Sequence, residues 1–372
     1  METLFVAKNA RRLRHARQLT QAQVAKKAGI SAQTYMKFES RKAMPRMDNL
    51  NKIAKALGVG IQDLFIQIRD IKAVRFRAQK KLKRRDQILA KVSKWLDDFN
   101  YLLDILGDNN AYKLSKIPSK LKNRSSAQSS LEAAKAAREL MRLDEDEPIH
   151  DICGLFAANG IKILTYQLAS DSFFGMSIGE SDGGPAIVVN TWERIPVERW
   201  IFSAAHELGH LLLHLNAYDV EITQEDQNQE KEANLFASYF LMPQRGFEKE
   251  WSETSGLPIW DRILKVKRIY HVSYKTVLYR LIGMGVFDDL IWKKINAFIK
   301  RKYNKSKVPK NFEPERLIEY DFVTDWLDRL VRKAVEKEII SLNRASEILD
   351  ISLLEARQRA AYWSEEKIAP TF

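Results

Sequence analysis

The stretch that most constrains this chain is His206-Glu207-Leu208-Gly209-His210, set inside the apolar run Trp200–Leu213. Residues four apart share one face of an α-helix, so both imidazoles can reach one ion. Neutral imidazole suits zinc, and a catalytic zinc takes three protein ligands and keeps one position for water. Glu207, beside the first histidine, can act as base on that water. Phe202, Ala204, Leu211 and Leu212 mark the helix as a core element. A carboxylate inside so apolar a helix is costly unless it is paired or has a chemical role.

A third ligand is needed, and Glu230-Lys231-Glu232-Ala233-Asn234-Leu235-Phe236-Ala237 offers candidates. No Gly or Pro interrupts 220–242, and Pro243 stops the helix this predicts. Glu230, Ala233, Asn234 and Ala237 then share one stripe, whose small residues allow close approach to the first helix. Glu230 is the preferred ligand. Glu232, about 200° away around the helix, is the alternative. Asn234 is placed to hold a ligand histidine from behind.

The single cysteine, Cys153, excludes an internal disulfide framework and a cysteine zinc site, and reads as a small core residue. The opening residues lack a long apolar segment, so no secretory signal is expected. No run of about 18 apolar residues predicts a membrane span. These features fit a cytoplasmic protein. The net charge of +13 is uneven: residues 1–130 carry +19 and the remainder −6. A basic amino-terminal third points to a polyanionic partner there.

Residues 1–65 read as short helices. The first covers about Leu4–Arg17. Thr20 with Gln23 is a capping-box signature for the second, and Gly29 ends it. Ser31 caps a third, with Tyr35 and Phe38 facing inward, and a fourth covers about Met47–Leu57. Helix, short glycine turn, helix is the arrangement that sets its second helix in the DNA major groove. The residues predicted to face DNA are Ser31, Ala32, Gln33, Thr34 and Lys37. Gln21 is expected to reach the backbone with its amide, and Arg41, Lys42 and Arg46 suit phosphates.

Apolar residues near helical spacing over 66–106 predict one or two helices, carrying the basic run at 80–86. That run reads first as a solvated face. Pro118 and the polar segment 120–130 read as a linker. Beyond it, Leu131–Leu143 and Pro148–Asn159 are expected helices. Ile161–Tyr166, Phe174–Ile178 and Ala186–Val189 are expected strands, with Ile187–Asn190 placed near the sheet edge, where an extended substrate would bind. Ile263–Leu281 is helical in spacing, and Asn304–Pro314 is a second polar linker. Phe322–Leu330, Arg332–Ser341 and Ala345–Trp363 are expected helices. A helix-turn-helix around Arg344–Glu355 is an option there, with a packing or sensing bundle preferred.

Two resemblances follow from these strings. His206–His214 (HELGHLLLH), followed by EKEANLFA at 230–237 and Leu241-Met242-Pro243, is similar to the ImmA/IrrE group of zinc-dependent metallopeptidases over about residues 131–290. That resemblance implies zinc held by His206, His210 and Glu230, Glu207 as catalytic acid/base, and as substrate a repressor bearing a helix-turn-helix of the XRE type. VSYKTVLYRLIGMG (272–285) looks like the helical appendage that follows this peptidase core. The string from Leu19 to Val59 resembles the XRE (Cro/repressor-type) helix-turn-helix, which implies operator DNA as partner and a homodimer on it. Ala32 departs from the polar residue usual at its place.

The expected architecture is therefore mainly α with a small sheet (α+β). It comprises an all-α helix-turn-helix domain at 1–65, a basic helical connector and linker at 66–130, a zincin-like domain at 131–290 and a helical region at 291–372. The expected function is a regulatory zinc endopeptidase that cleaves a helix-turn-helix repressor or antitoxin in a stress or mobile-element response. The alternative is a DNA-binding regulator or antitoxin whose zincin domain is a non-proteolytic sensor or scaffold. Self-cleavage within 107–130 is a third version.

Overall fold

In a computed structural model of the chain, the described residues are 6–65 (except 8, 12, 15, 16 and 18), 74–78, 85–108, 110–117, 126–214 and 226–366. The chain forms two compact units, Met1–Ile71 with Lys81–Phe99, and Lys72–Lys80 with Asn100–Phe372.

The first unit is helical. The described positions between residues 6 and 14 are helical and lead into α1 (Gln21–Ala28), α2 (Ala32–Glu39), α3 (Met47–Ala56) and the single turn α4 (Gln62–Phe65). Thr20 closes the expected capping box on α1, satisfying backbone donors that helical bonding leaves over. Gly29 takes the left-handed conformation (φ 65°) that lets the chain turn sharply. Ile30 N–H then bonds back to Ala25 O at 3.0 Å. Ser31 Oγ accepts Thr34 N–H at 3.1 Å and starts α2. Val24, Tyr35, Phe38, Leu50 and Ile53 fill the core. A buried ion pair crosses it: Arg14 Nε and Nη2 donate to the two oxygens of Glu39 at 2.6 and 2.9 Å. Burial alone would raise the Glu39 pKa, but hydrogen bonds from Arg14 and Gln21 outweigh it and hold the carboxyl below its ordinary range.

Residues 74–78 correct the first expectation. Helical spacing runs through them, but they form β1 (Val74–Ala78). The alternation Val-Arg-Phe-Arg-Ala fits an extended chain as well as a helix, and pairing to a waiting sheet edge decides between the two. Then come α5 (Arg85–Leu106), α6 (Ser126–Leu140) and α7 (Ile152–Ala158). Of the basic run, 80–84 lie outside the described residues, as do 118–125 of the polar linker.

Strands β2 (Lys162–Tyr166), β3 (Phe173–Ile178) and β4 (Ala186–Asn190) complete a four-stranded sheet in the order β1-β3-β4-β2. β1 and β4 run antiparallel to β3, and β2 runs parallel to β4. This overturns the placement of Ile187–Asn190 near an edge. All five residues of β4 are buried, and a strand apolar on both faces belongs in the sheet interior. The Asn190 side chain adds a clamp: it donates to Leu168 O and Phe173 O at 2.9 Å and accepts from Leu168 N–H.

Helix α8 (Val197–Leu213) packs on β3 and β4, and α9 (Gln227–Leu241) packs beside it. Gly209 is what allows that approach, since a Cβ there would sit 2.9 Å from the Phe236 ring. Helices α10 (Gln244–Glu253), α11 (Ile259–Tyr270), α12 (Tyr274–Gly283) and α13 (Ile291–Lys302) extend the same core. Lys267 on α11 pairs with Glu198 on α8 at 2.5 Å, both buried. Glu198 also accepts Leu317 N–H, and Glu313 accepts Tyr274 N–H, each at 2.9 Å. The stretch 313–317 is thereby strapped to the helical core. Burial pushes the Glu313 carboxyl up to about 7 despite the nearby Lys267.

The last three helices are α14 (Trp326–Glu336), α15 (Leu342–Leu349) and α16 (Leu353–Glu366). Their final turn repeats that of the amino-terminal unit. Asp350 is left-handed (φ 56°), Ile351 N–H bonds back to Ser346 O at 3.1 Å, and Ser352 caps Glu355 N–H at 3.1 Å. The three helices thus end in helix-turn-helix geometry, where the sequence favoured a plain bundle. With seven basic and eight acidic residues over 326–366, they lack the basic surplus of the first unit.

Candidate metal centre and DNA-facing helix

Helix α8 brings His206 and His210 together on one buried face, their Nε2 atoms 2.9 Å apart. Glu230, in the first turn of α9, reaches both, at 3.3 Å from His206 Nε2 and 3.1 Å from His210 Nε2. Four ligands arranged tetrahedrally at about 2.0–2.1 Å from zinc lie about 3.3 Å apart. The two imidazole nitrogens are 2.9 Å apart, and Glu230 meets each of them through a different carboxylate oxygen, Oε2 for His206 and Oε1 for His210, so donor atoms of all three residues lie within reach of one such ion.

Hydrogen bonds behind the histidines reinforce the fit. His206 Nδ1 lies 2.9 Å from Asn234 Oδ1, an acceptor, so it carries the proton and presents an unprotonated Nε2. His210 Nδ1 lies 2.9 Å from His214 Nδ1, and His214 Nε2 lies 2.7 Å from Glu232 Oε2. The Glu232 carboxylate accepts from His214 Nε2, which leaves His214 Nδ1 to accept from His210 Nδ1. His210 then also presents an unprotonated Nε2. Two nitrogen lone pairs and a carboxylate grouped this closely are a donor set that could hold a cation. Glu232, the alternative ligand, lies behind the site and fixes the orientation of His214.

Glu207 is fully buried on the β3 side of α8. Its Oε2 accepts the Ser177 hydroxyl at 2.7 Å. Gly175, two residues earlier on β3, gives it room: a Cβ there would lie 3.2 Å from Glu207 Oε1 and 3.0 Å from Val188 O. Sequence reasoning missed Ser177 and the Glu232–His214 pair. Ser177 had a signal, being the one hydroxyl in Phe-Phe-Gly-Met-Ser-Ile and sharing a strand face with a glycine. His214 is marked in the sequence only by its i+4 spacing from His210, since its partner sits on another helix.

In the first unit, Ser31, Ala32, Gln33, Thr34 and Lys37 lie on the exposed face of α2, with Arg41, Lys42 and Arg46 exposed just after it. The Gln21 amide differs from expectation. It donates to Glu39 Oε2 at 2.7 Å, so one of its two N–H groups is used within the unit.

Comparison with known proteins finds matches for both of these parts of the chain. Residues 160–282 match the IrrE N-terminal-like domain of the M78 peptidases, and residues 11–64 match a helix-turn-helix family. The cryptic phage CTXphi transcriptional repressor RstR of Vibrio cholerae is 51% identical over 45 residues, 12% of this chain and 40% of the repressor. An uncharacterized HTH-type transcriptional regulator of Methanocaldococcus jannaschii is 48% identical over 48 residues, 13% of this chain and 73% of that regulator. The chain thus spans less than half of the first relative. Its two matched parts are an XRE-type helix-turn-helix domain and, beyond it, an IrrE/ImmA-like peptidase-family domain.

Proposed function

We propose that this protein is a zinc-dependent endopeptidase that carries its own DNA-binding module and cleaves a helix-turn-helix repressor or antitoxin. The observation that carries the reading is the convergence of His206, His210 and Glu230 beside a buried, Ser177-held Glu207. A zinc ion held by those three residues supplies a Lewis acid that acidifies water and polarises a carbonyl. Glu207 takes the proton of the water whose oxygen attacks the scissile carbonyl carbon. As the C–N bond breaks, the same carboxyl delivers that proton to the leaving amine. Ser177 donates to Oε2 and fixes the orientation of the carboxyl. Asn234 and the Glu232–His214 pair keep the two histidines in their ligating tautomer.

The repressor-like module supplies targeting. Gln33, Thr34 and Lys37 face the bases and Arg41 and Lys42 the phosphates, most simply as a homodimer on a two-fold operator. A phage repressor among the relatives supports an operator-type duplex as partner. Among the described residues no helix is long and apolar enough to cross a membrane.

The test compares new protein amino termini in cells carrying the wild-type chain or Glu207→Gln, with and without DNA damage. Termini that arise only with wild type establish the peptidase and name its substrate. Identical termini under both conditions, with zinc bound, would reject the peptidase. A second reading rests on the relatives being transcriptional regulators. In it the zincin domain is a non-proteolytic sensor, and Glu207→Gln leaves regulation unchanged.

A further inference from the structure

β3 is the strand beside Glu207, through Ser177 and Gly175. One of its sides is bonded to β4. The other carries β1, antiparallel, in a register that sets Arg75 opposite Ser177 and Arg77 opposite Gly175. Ser177, which donates to the Glu207 carboxylate, and Gly175, whose missing side chain leaves room for it, are therefore matched by two residues of the connector. The pairing shifts between Arg77 and Ala78, so regular pairing ends just past that pair.

An extended peptide that presents its main chain to Glu207 along β3 has one side available, because β4 holds the other. β-Strand addition to a sheet edge is how such a peptide gains main-chain hydrogen bonds. β1 already lies on that side. Its segment, Lys72–Lys80, groups with the peptidase-bearing unit, although Met1–Ile71 and Lys81–Phe99 on either side group with the other. Edge strands of this kind exchange by pairing with whatever extended chain is presented.

We infer that the outer side of β3 is the substrate-docking edge and that the connector strand Val74–Ala78 is its resident occupant, which an extended substrate has to displace. This rests on the peptidase reading for the substrate, while the occupancy itself is a separate observation. The partner is defined by main-chain chemistry: an unfolded or loop segment of a protein, taken up as a strand antiparallel to β3. The connector competes with it from within the same chain, so occupancy by β1 lowers apparent substrate affinity in proportion to the fraction of molecules closed.

The experiment compares the full-length, zinc-loaded protein with a double variant, Arg75→Pro with Phe76→Pro. Adjacent residues of an antiparallel strand alternate in hydrogen bonding, so two consecutive prolines remove at least one donor to β3. Amide exchange of the peptide covering 173–178 is expected to quicken about tenfold or more in the variant, with zinc content unchanged. Turnover of a fluorogenic peptide pool is expected to rise several-fold, and a synthetic peptide of residues 72–80 added in trans should restore both protection and inhibition. Unchanged protection of 173–178 overturns the assignment. So does lost protection with equal, measurable turnover in both forms, since the strand would then be structural. Lost protection that the 72–80 peptide restores, with no turnover in either form, supports the occupied edge and rejects the peptidase reading instead.

Discussion

Glu207 and the histidines of α8 are held in place by residues outside the candidate metal triad. Ser177 is the one side chain of β3 that meets the Glu207 carboxylate with a hydroxyl, at 2.7 Å. Ser177→Ala is expected to lower kcat about tenfold, the loss of roughly one charge-assisted hydrogen bond, while zinc content stays the same. A fall in zinc content instead would make Ser177 a structural residue. Glu232 is linked through His214 to His210, one of the three residues of the candidate metal site. Glu232→Gln is expected to weaken zinc affinity by about 10–100-fold in a chelator competition, with helical content unaltered. The same substitution would abolish zinc binding outright if Glu232 were a ligand, which separates the two carboxylates of α9.

At the scale of elements, close approach and burial decide what the helices can do. The packing of α8 on α9 depends on Gly209, because a Cβ there would press to 2.9 Å from Phe236. Gly209→Ala is expected to cost about 1–3 kcal/mol in denaturant unfolding and to separate Glu230 from the histidines, which a parallel zinc titration would read. The strap at 313–317 carries a pH signature. Burial raises the Glu313 carboxyl to about 7, so the folded state holds a proton that the unfolded chain loses near its ordinary value of 4.5. That contribution is present below about pH 4.5 and is lost as pH rises through 7. Glu313→Gln keeps the acceptor for Tyr274 N–H and cannot ionise. Its melting temperature should therefore gain on wild type as pH rises from 5 to 8, and a difference flat in pH would show that Glu313 titrates normally.

Element positions were legible where a local rule fixes them. The Thr20 capping box, the Gly29 turn, Ser31, and the strands at 162–166, 173–178 and 186–190 follow from caps, turn residues and apolar runs. The strand at 74–78 and the interior place of β4 did not, because both depend on which neighbour pairs with them. The second helix-turn-helix geometry, at 342–366, was half legible. Its caps are visible as Ser341 and Ser352, but its turn uses Asp350 in the left-handed conformation where a glycine is the usual sign.

Across the whole molecule, charge is divided between parts with different tasks. The first 130 residues carry +19 and the rest −6. Binding to an operator duplex is expected to fall steeply with salt. Arg41→Ala with Lys42→Ala should lower the slope of log K against log salt by about 0.9 for each phosphate no longer neutralised. An unchanged slope would place the phosphate-binding surface elsewhere.

The sequence by itself determined the two histidines on one helical face, the carboxylate between them, the acidic helix that follows, and a capped, basic helix-turn-helix. All of these are set by spacing along one element. The packing of the whole fold sets that Glu230 reaches His206 and His210 while Glu232 pairs with His214 behind them, that Ser177 holds Glu207, that Glu39 takes both Arg14 and Gln21, and that β1 lies along β3. Each of these joins residues from different elements. Helical and strand periodicity fix which face a residue occupies, but the element packed against that face is chosen by the burial and hydrogen bonding of the whole fold.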